Sequence, residues 1–112
     1  MVHPSQIPVV VVVTFPVSGS MPEAVLRELL EQTGPRYTNI PGLRRKYFLS
    51  GENSGGGVYE WESRALAEQF YDQPWLDRMR EQTGAKPTVQ FFDSPAIADG
   101  INHELMIYVE KD

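Results

Sequence analysis

Cysteine is absent from the 112 residues, which excludes disulfides, a thiolate nucleophile and any metal site built on sulfur. Histidine is scarce. His3 and His103 are the only two, both peripheral, and His103-Glu104 has no second ligand cluster to complete a metal site. Long apolar runs are also missing: the longest, Val9 to Val13, falls far short of the ~20 residues that cross a bilayer. No basic segment precedes it, so the N-terminus is not expected to act as a signal peptide and the expected location is the cytoplasm. Positive charge is in deficit, with 10 Lys+Arg against 15 Asp+Glu and a formal charge of −5. An acidic surface repels nucleic acid and anionic membranes, so neither is expected as a partner.

What is present is enough for one compact domain. Apolar residues make up 41% of the chain, which argues against disorder. The expectation is a single domain over residues 1–112, with its core at about 7–94 and a C-terminal extension at 95–112.

Val9 to Phe15 is β-branched almost throughout and reads as a strand. It does not alternate with polar residues, so both faces are expected to be buried. Ser20-Met21-Pro22-Glu23 has the capping-box pattern, and Val25, Leu26, Leu29 and Leu30 form a helical stripe that Thr33-Gly34-Pro35 is expected to stop. Pro41-Gly42 is a turn, and Leu43 to Ser50 is a second strand. Its alternation puts Leu43, Arg45, Tyr47 and Leu49 on one face, with Arg44, Lys46 and Phe48 on the other. A glycine-rich loop over 51–56 leads to a third strand, Gly57 to Trp61. Ser63 is expected to cap a helix that Gln73-Pro74 interrupts; a second piece, Pro74 to Thr83, ends at Gly84. Thr88 to Asp93 is the fourth strand. A turn at 96–100 and a fifth strand at 105–109 complete the pattern.

The order β-α-β-β-α-β predicts an α+β fold of ferredoxin-like type with a four-stranded antiparallel sheet. Both helices of that topology cover one face, yet the first strand is valine on both faces, and the second and fourth carry aromatics on both, Tyr47 against Phe48 and Phe91 against Phe92. Soluble monomers rarely leave such a patch wet. An identical sheet related by a two-fold axis is the simplest cover, so a homodimer is expected. The plainer alternative is that the tail folds back over its own sheet.

Three segments together carry a resemblance. Pro41-Gly42-Leu43-Arg44-Arg45-Lys46 opens the second strand, Gly56-Gly57-Val58-Tyr59-Glu60-Trp61 forms the third, and Ser63-Arg64-Ala65-Leu66-Ala67 follows. Over about residues 7–94 the chain resembles the YdhR-like mono-oxygenase family of dimeric α/β-barrel proteins. Lys46, Gly57 and Tyr59 match the family pattern most closely; Arg45 departs from it. The resemblance implies a homodimer with a pocket between each sheet and its helices. It also implies oxygenation, or a related isomerisation, of a small hydrophobic, aromatic or quinol-type molecule without metal, flavin or other cofactor. The alternative is a small-ligand-binding or structural homodimer with no turnover.

Oxygenation of that kind needs a dry cavity, a proton acceptor and donors for a developing oxyanion. Tyr59 and Lys46 are the candidate catalytic residues. Trp61, Trp75, Tyr37, Arg44 and Phe91 are the candidate substrate-binding residues. Plainer readings stand beside these: Tyr59 and Trp61 as core aromatics, Trp75 as a plug between helices and sheet, and Arg44, Arg45 and Lys46 as a cross-strand or intersubunit ion-pair set with Glu60 or Glu62. A haem site would need an axial ligand facing the pocket, and neither histidine is placed for that. Ser54 to Gly57 joins two strands instead of opening a helix, so it lacks the helix N-terminus of a phosphate-binding loop. An RNA-recognition reading fails because residues 54–61 carry no basic residue and have an acid, Glu60, among the aromatics.

Overall fold

A computed structural model describes residues 7–19 and 21–111. The valine run forms strand β1 (Val9–Pro16) at the heart of a sheet. Strands β3 (Ser54–Trp61) and β4 (Thr88–Asp93) flank it, and β2 (Leu43–Ser50) pairs with β3, every pair antiparallel. Helix α1 (Glu23–Thr33) links β1 to β2, while α2 (Arg64–Phe70) and α3 (Gln73–Thr83) link β3 to β4. The sheet order β2-β3-β1-β4 with these crossovers is the ferredoxin-like α+β fold.

Register separates two faces. Val9, Val11 and Val13 stand level with Trp61, Tyr59 and Gly57 on one side and with Asp93, Phe91 and Val89 on the other. The three valines are fully buried with Tyr59, Trp61, Ala67, Tyr71 and Trp75, which makes this face the core. Val10 and Val12, level with Phe92 and Gln90, are only half-buried on the outer face. Burial on both sides of β1 therefore holds for one face within a single chain.

The helix boundaries follow local chemistry. Ser63 Oγ accepts the Leu66 N–H at 3.3 Å, the expected cap of α2. Asp72 Oδ1 accepts the Trp75 N–H at 3.0 Å, a second cap that starts α3 just before Pro74. Gly84 closes α3 with φ 77°, a left-handed position natural to glycine. The end of α1 differs from expectation. Gly34 stays right-handed, and the chain tightens into a 3-10 turn over Gly34–Thr38. Pro35 enters at the start of that turn, where a missing N–H costs nothing. Ser20, the expected cap of α1, lies outside the described residues, as does His3.

Two corrections concern the central hairpin. First, β3 begins at Ser54, so Gly55 and Gly56 are strand residues paired with Phe15 and Thr14. A Cβ at Gly56 would run into the Val13 carbonyl oxygen, and its φ is 149°; strands approach there too closely for any side chain. Second, strict alternation fails in β2. A bulge between Leu43 and Arg45 opposes two residues to one. Leu43 joins Lys46 and Phe48 on the helix-covered side, opposite Trp61, Tyr59 and Gly57. Arg44 and Arg45 both turn outward to Glu60, at 4.0 and 3.2 Å.

Beyond β4 the chain forms a separate two-stranded sheet of β5 (Ala96–Asp99) and β6 (Glu104–Ile107), where sequence predicts a turn and one strand. Its connection is tied by Asp99, whose carboxylate accepts from the Ile101 N–H, the Asn102 N–H and the Asn102 side-chain amide. Hydrogen bonds from Asn102, and then from Ile101, hold this carboxyl below its ordinary range. The hairpin leans over the arginine end of the outer face. Ile97 and Met106 share a cleft there with Arg44, Arg45, Tyr47 and Glu60. It leaves Tyr47, Leu49 and Phe92 exposed. No helix is long and apolar enough to cross a membrane among the described residues.

Candidate active site

The covered face of the sheet changes character from one end to the other. At the Trp61 end, aromatic rings fill the space beneath α2 and α3. Tyr71 meets Trp75 edge-on at 5.0 Å and Tyr59 at 5.3 Å, with Phe70 between Trp61 and Tyr71. The Trp61 Nε1–H donates to the Tyr71 hydroxyl at 3.0 Å, satisfying a polar atom that burial would otherwise penalise. Phe91 packs edge-on against Tyr71 from β4 at 5.7 Å. Tyr59, Trp61, Trp75 and Phe91 are therefore brought together as an interlocked core. None of them lines the cavity described below.

Toward the β2–β3 turn the side chains disappear. Gly57 and Gly55 continue the row that Trp61 and Tyr59 begin. Helix α1 has no fully buried residue and stands off this end. The result is an apolar cavity of about 250 Å³ between α1 and the sheet. Phe15, Phe48, Gly55 and Gly56 form its sheet side, and Leu26, Leu29 and Leu30 its helix side. Sequence reasoning missed this place because the glycine run reads as a loop. The available signal was a helical leucine stripe with nothing bulky opposite it.

Lys46 occupies the boundary between the two ends. Its Nζ lies 3.6 Å from the ring centre of Tyr37, 4.0 Å from Phe48 and 4.7 Å from Tyr59. The 3-10 turn after α1 delivers Tyr37, and the bulge in β2 turns Lys46 inward. Gly57 makes room, since a Cβ there would come within 2.9 Å of Lys46 Cε. Among the described residues no carboxylate pairs with this amine. Burial, and then the charge of Arg36, pushes its pKa from 10.5 down to about 7. The three ring faces act the other way, favouring the ammonium. Burial, and then neighbouring Tyr37, pushes the Tyr59 hydroxyl well above the ordinary tyrosine range. Tyr59 thus stays protonated, a hydrogen-bond donor rather than a base, while Lys46 exchanges its proton near neutrality.

Of the seven candidate residues, Lys46, Tyr59 and Tyr37 form one cluster, and Phe48 connects that cluster to the cavity. Arg44 stands apart on the outer face, paired with Glu60. The plainer reading as a cross-strand ion-pair set describes Arg44 and Arg45, which pair with Glu60, but not Lys46, which turns inward and pairs with no described carboxylate.

The fold and this site define a ferredoxin-like domain with an apolar cavity between its sheet and a helix. One protein of similar structure is a monooxygenase from the gene ActVA-Orf6 of Streptomyces coelicolor, solved in complex with the ligand nanaomycin D. It shows 22% identity and a TM-score of 0.59 over 80% of this chain and 88% of that one. Another is the NE2512 protein of unknown function from Nitrosomonas europaea, with 16% identity and a TM-score of 0.58 over 83% and 94% of the two chains. At such identities the likeness concerns the fold. The chain matches no family model and no curated protein.

Proposed function

We propose that this chain is a homodimeric mono-oxygenase, or a related isomerase, that needs no cofactor and acts on a small hydrophobic, aromatic or quinol-type molecule bound beneath α1. The observation that carries the reading is the Lys46 amine. It is largely buried, unpaired with any described carboxylate, and in contact with the Phe48 ring that also walls the cavity. As a free amine it accepts the substrate's hydroxyl proton, and the resulting anion donates electrons to dioxygen. One oxygen atom stays on carbon and the other leaves as water, the substrate supplying all the electrons. The rings of Tyr37 and Tyr59 pack against that amine, and their hydroxyls are candidate donors to the anion. The fold shared with a monooxygenase supports this assignment.

The homodimer follows from the outer face. Tyr47, Leu49 and Phe92 are exposed beside half-buried Val10, Val12 and Val58, and a second sheet would cover them. Light scattering at micromolar concentration is expected to give twice the chain mass; a monomer removes this part.

Oxygen uptake by chelator-treated protein over naphthols and naphthohydroquinones tests the chemistry. Uptake is expected to rise with pH through about 7, as Lys46 loses its proton, and to vanish in Lys46→Met. Absence of uptake across the panel ends the oxygenase reading. The second reading, a non-catalytic ligand-binding or structural homodimer, is favoured by one feature: Tyr59, Trp61 and Trp75 fill the space beneath α2 and α3.

A further inference from the structure

The cavity beneath α1 has a chemistry of its own, distinct from that of the lysine cluster. Among the described residues lining it none is charged. Arg36, Lys46 and the Arg44–Arg45 pair all lie outside its walls. Among the described residues, side-chain hydroxyls come from Thr33, Ser50 and Ser54, and Thr33 already donates its proton to the Leu29 carbonyl at 2.9 Å. The two serines sit at the β2–β3 turn, so the polar end of the cavity is the end remote from Lys46. Its volume is about 250 Å³. At ~30 Å³ per water-sized group, that admits on the order of ten non-hydrogen atoms. On the sheet side nothing can be trimmed at Gly55, which already has no side chain, and Phe15 and Val17 stand at ordinary contact distances, 3.4 and 3.6 Å, from the position a Cβ would take.

We propose that this cavity selects an uncharged molecule of one or two rings and rejects carboxylates and larger polycyclic compounds. The inference rests on reading the cavity as the ligand site and narrows the substrate class. A carboxylate seated among the leucines and away from Lys46 would lose its hydration and meet no cation there, a penalty no lining hydroxyl offsets. A third ring exceeds this volume, so it would either stand out in water without apolar contact or push α1 outward and expose Leu26 and Leu30, which now face the cavity.

Naphthol, naphthoate and anthrol separate charge from size, and an NMR titration of backbone amides locates each. Naphthol is expected to shift the Leu26, Leu30 and Gly55 amides saturably. Naphthoate and anthrol are each expected to bind at least ~ten-fold more weakly. Leu30→Trp, which narrows the cavity without touching the sheet, is expected to weaken naphthol by about ten-fold. Should that variant misfold, Leu26→Phe gives a milder constriction with the same readout. Equal binding of naphthoate or anthrol, or naphthol shifts absent from these amides, overturns the proposal. Oxygen uptake on the same compounds is read separately. Selective binding without uptake removes the oxygenase and leaves the ligand class standing; uptake without selectivity does the reverse.

Discussion

The two ends of one sheet face solve different problems with the same backbone. At the Trp61 end, Val9 and Val11 support stacked aromatics, and the buried Trp61 N–H is satisfied internally by the Tyr71 hydroxyl. At the glycine end, Val13 and Phe15 face Gly57 and Gly55, and the space is left open under a loosely seated α1. The first end stores stability and the second stores room. A protein can afford a cavity of this kind when the rest of its core is tightly interlocked.

Substitutions that erase the difference should show it by size. Trp61→Ala, at the filled end, is expected to cost about 3–5 kcal/mol in urea unfolding. A loss below about 1 kcal/mol would mean that this end is not the stabilising one. Tyr71→Phe leaves the Trp61 N–H without an acceptor and is expected to cost about 1–3 kcal/mol. Leu30→Ala enlarges a wall already facing open space, so about 1 kcal/mol or less is expected from the same measurement. Arg64→Gln breaks the exposed 2.9 Å pair with Asp93, with an expected change of about 0–1 kcal/mol that fades further in high salt.

Lys46 sharpens the comparison through pH. Its folded pKa, about 7, lies below the 10.5 of a lysine exposed in the unfolded chain. Between these values the unfolded chain binds more protons, so stability rises with pH across that window. Below about pH 7 the amine is protonated in both states and its burial penalty is present in full. Tyr59 and Tyr71 act oppositely above about pH 10, where burial resists their ionisation while the unfolded chain permits it. Thermal melts from pH 6 to 10 are expected to show the rise, and Lys46→Met to flatten it. An unchanged profile in that variant would place the titration elsewhere.

Much of the fold was legible because its signals are local. The valine run, the Ser63 cap and Gly84 each act over a few residues and appear where their chemistry predicts; the break expected at Gln73-Pro74 falls just before it, at Tyr71-Asp72, because Asp72 caps α3 and Pro74 fits its first turn. The cavity was hidden because glycine has two meanings, turn and close approach, and only the pairing of Gly55 and Gly56 with β1 distinguishes them. Arg44 was misplaced for a related reason. A bulge carries no signature in residues as alike as Arg44 and Arg45, so alternation counted from Leu43 gave the wrong side. Lys46 and Tyr59 were identifiable by type, but Phe48, which links them to the open space, looks like any other strand aromatic.

That bulge makes β2 tolerant at one point and brittle elsewhere. Removing Arg44 would restore plain alternation and keep Leu43, Lys46 and Phe48 on the same side, at the cost of one outward charge. Removing Tyr47 instead would invert the strand beyond it, sending Phe48 out and Leu49 in. Lys46 would then lose the ring that joins it to the chamber below α1. The extra arginine is thus a spacer that lets two positive charges face away while an uncommon, nearly neutral amine is kept indoors.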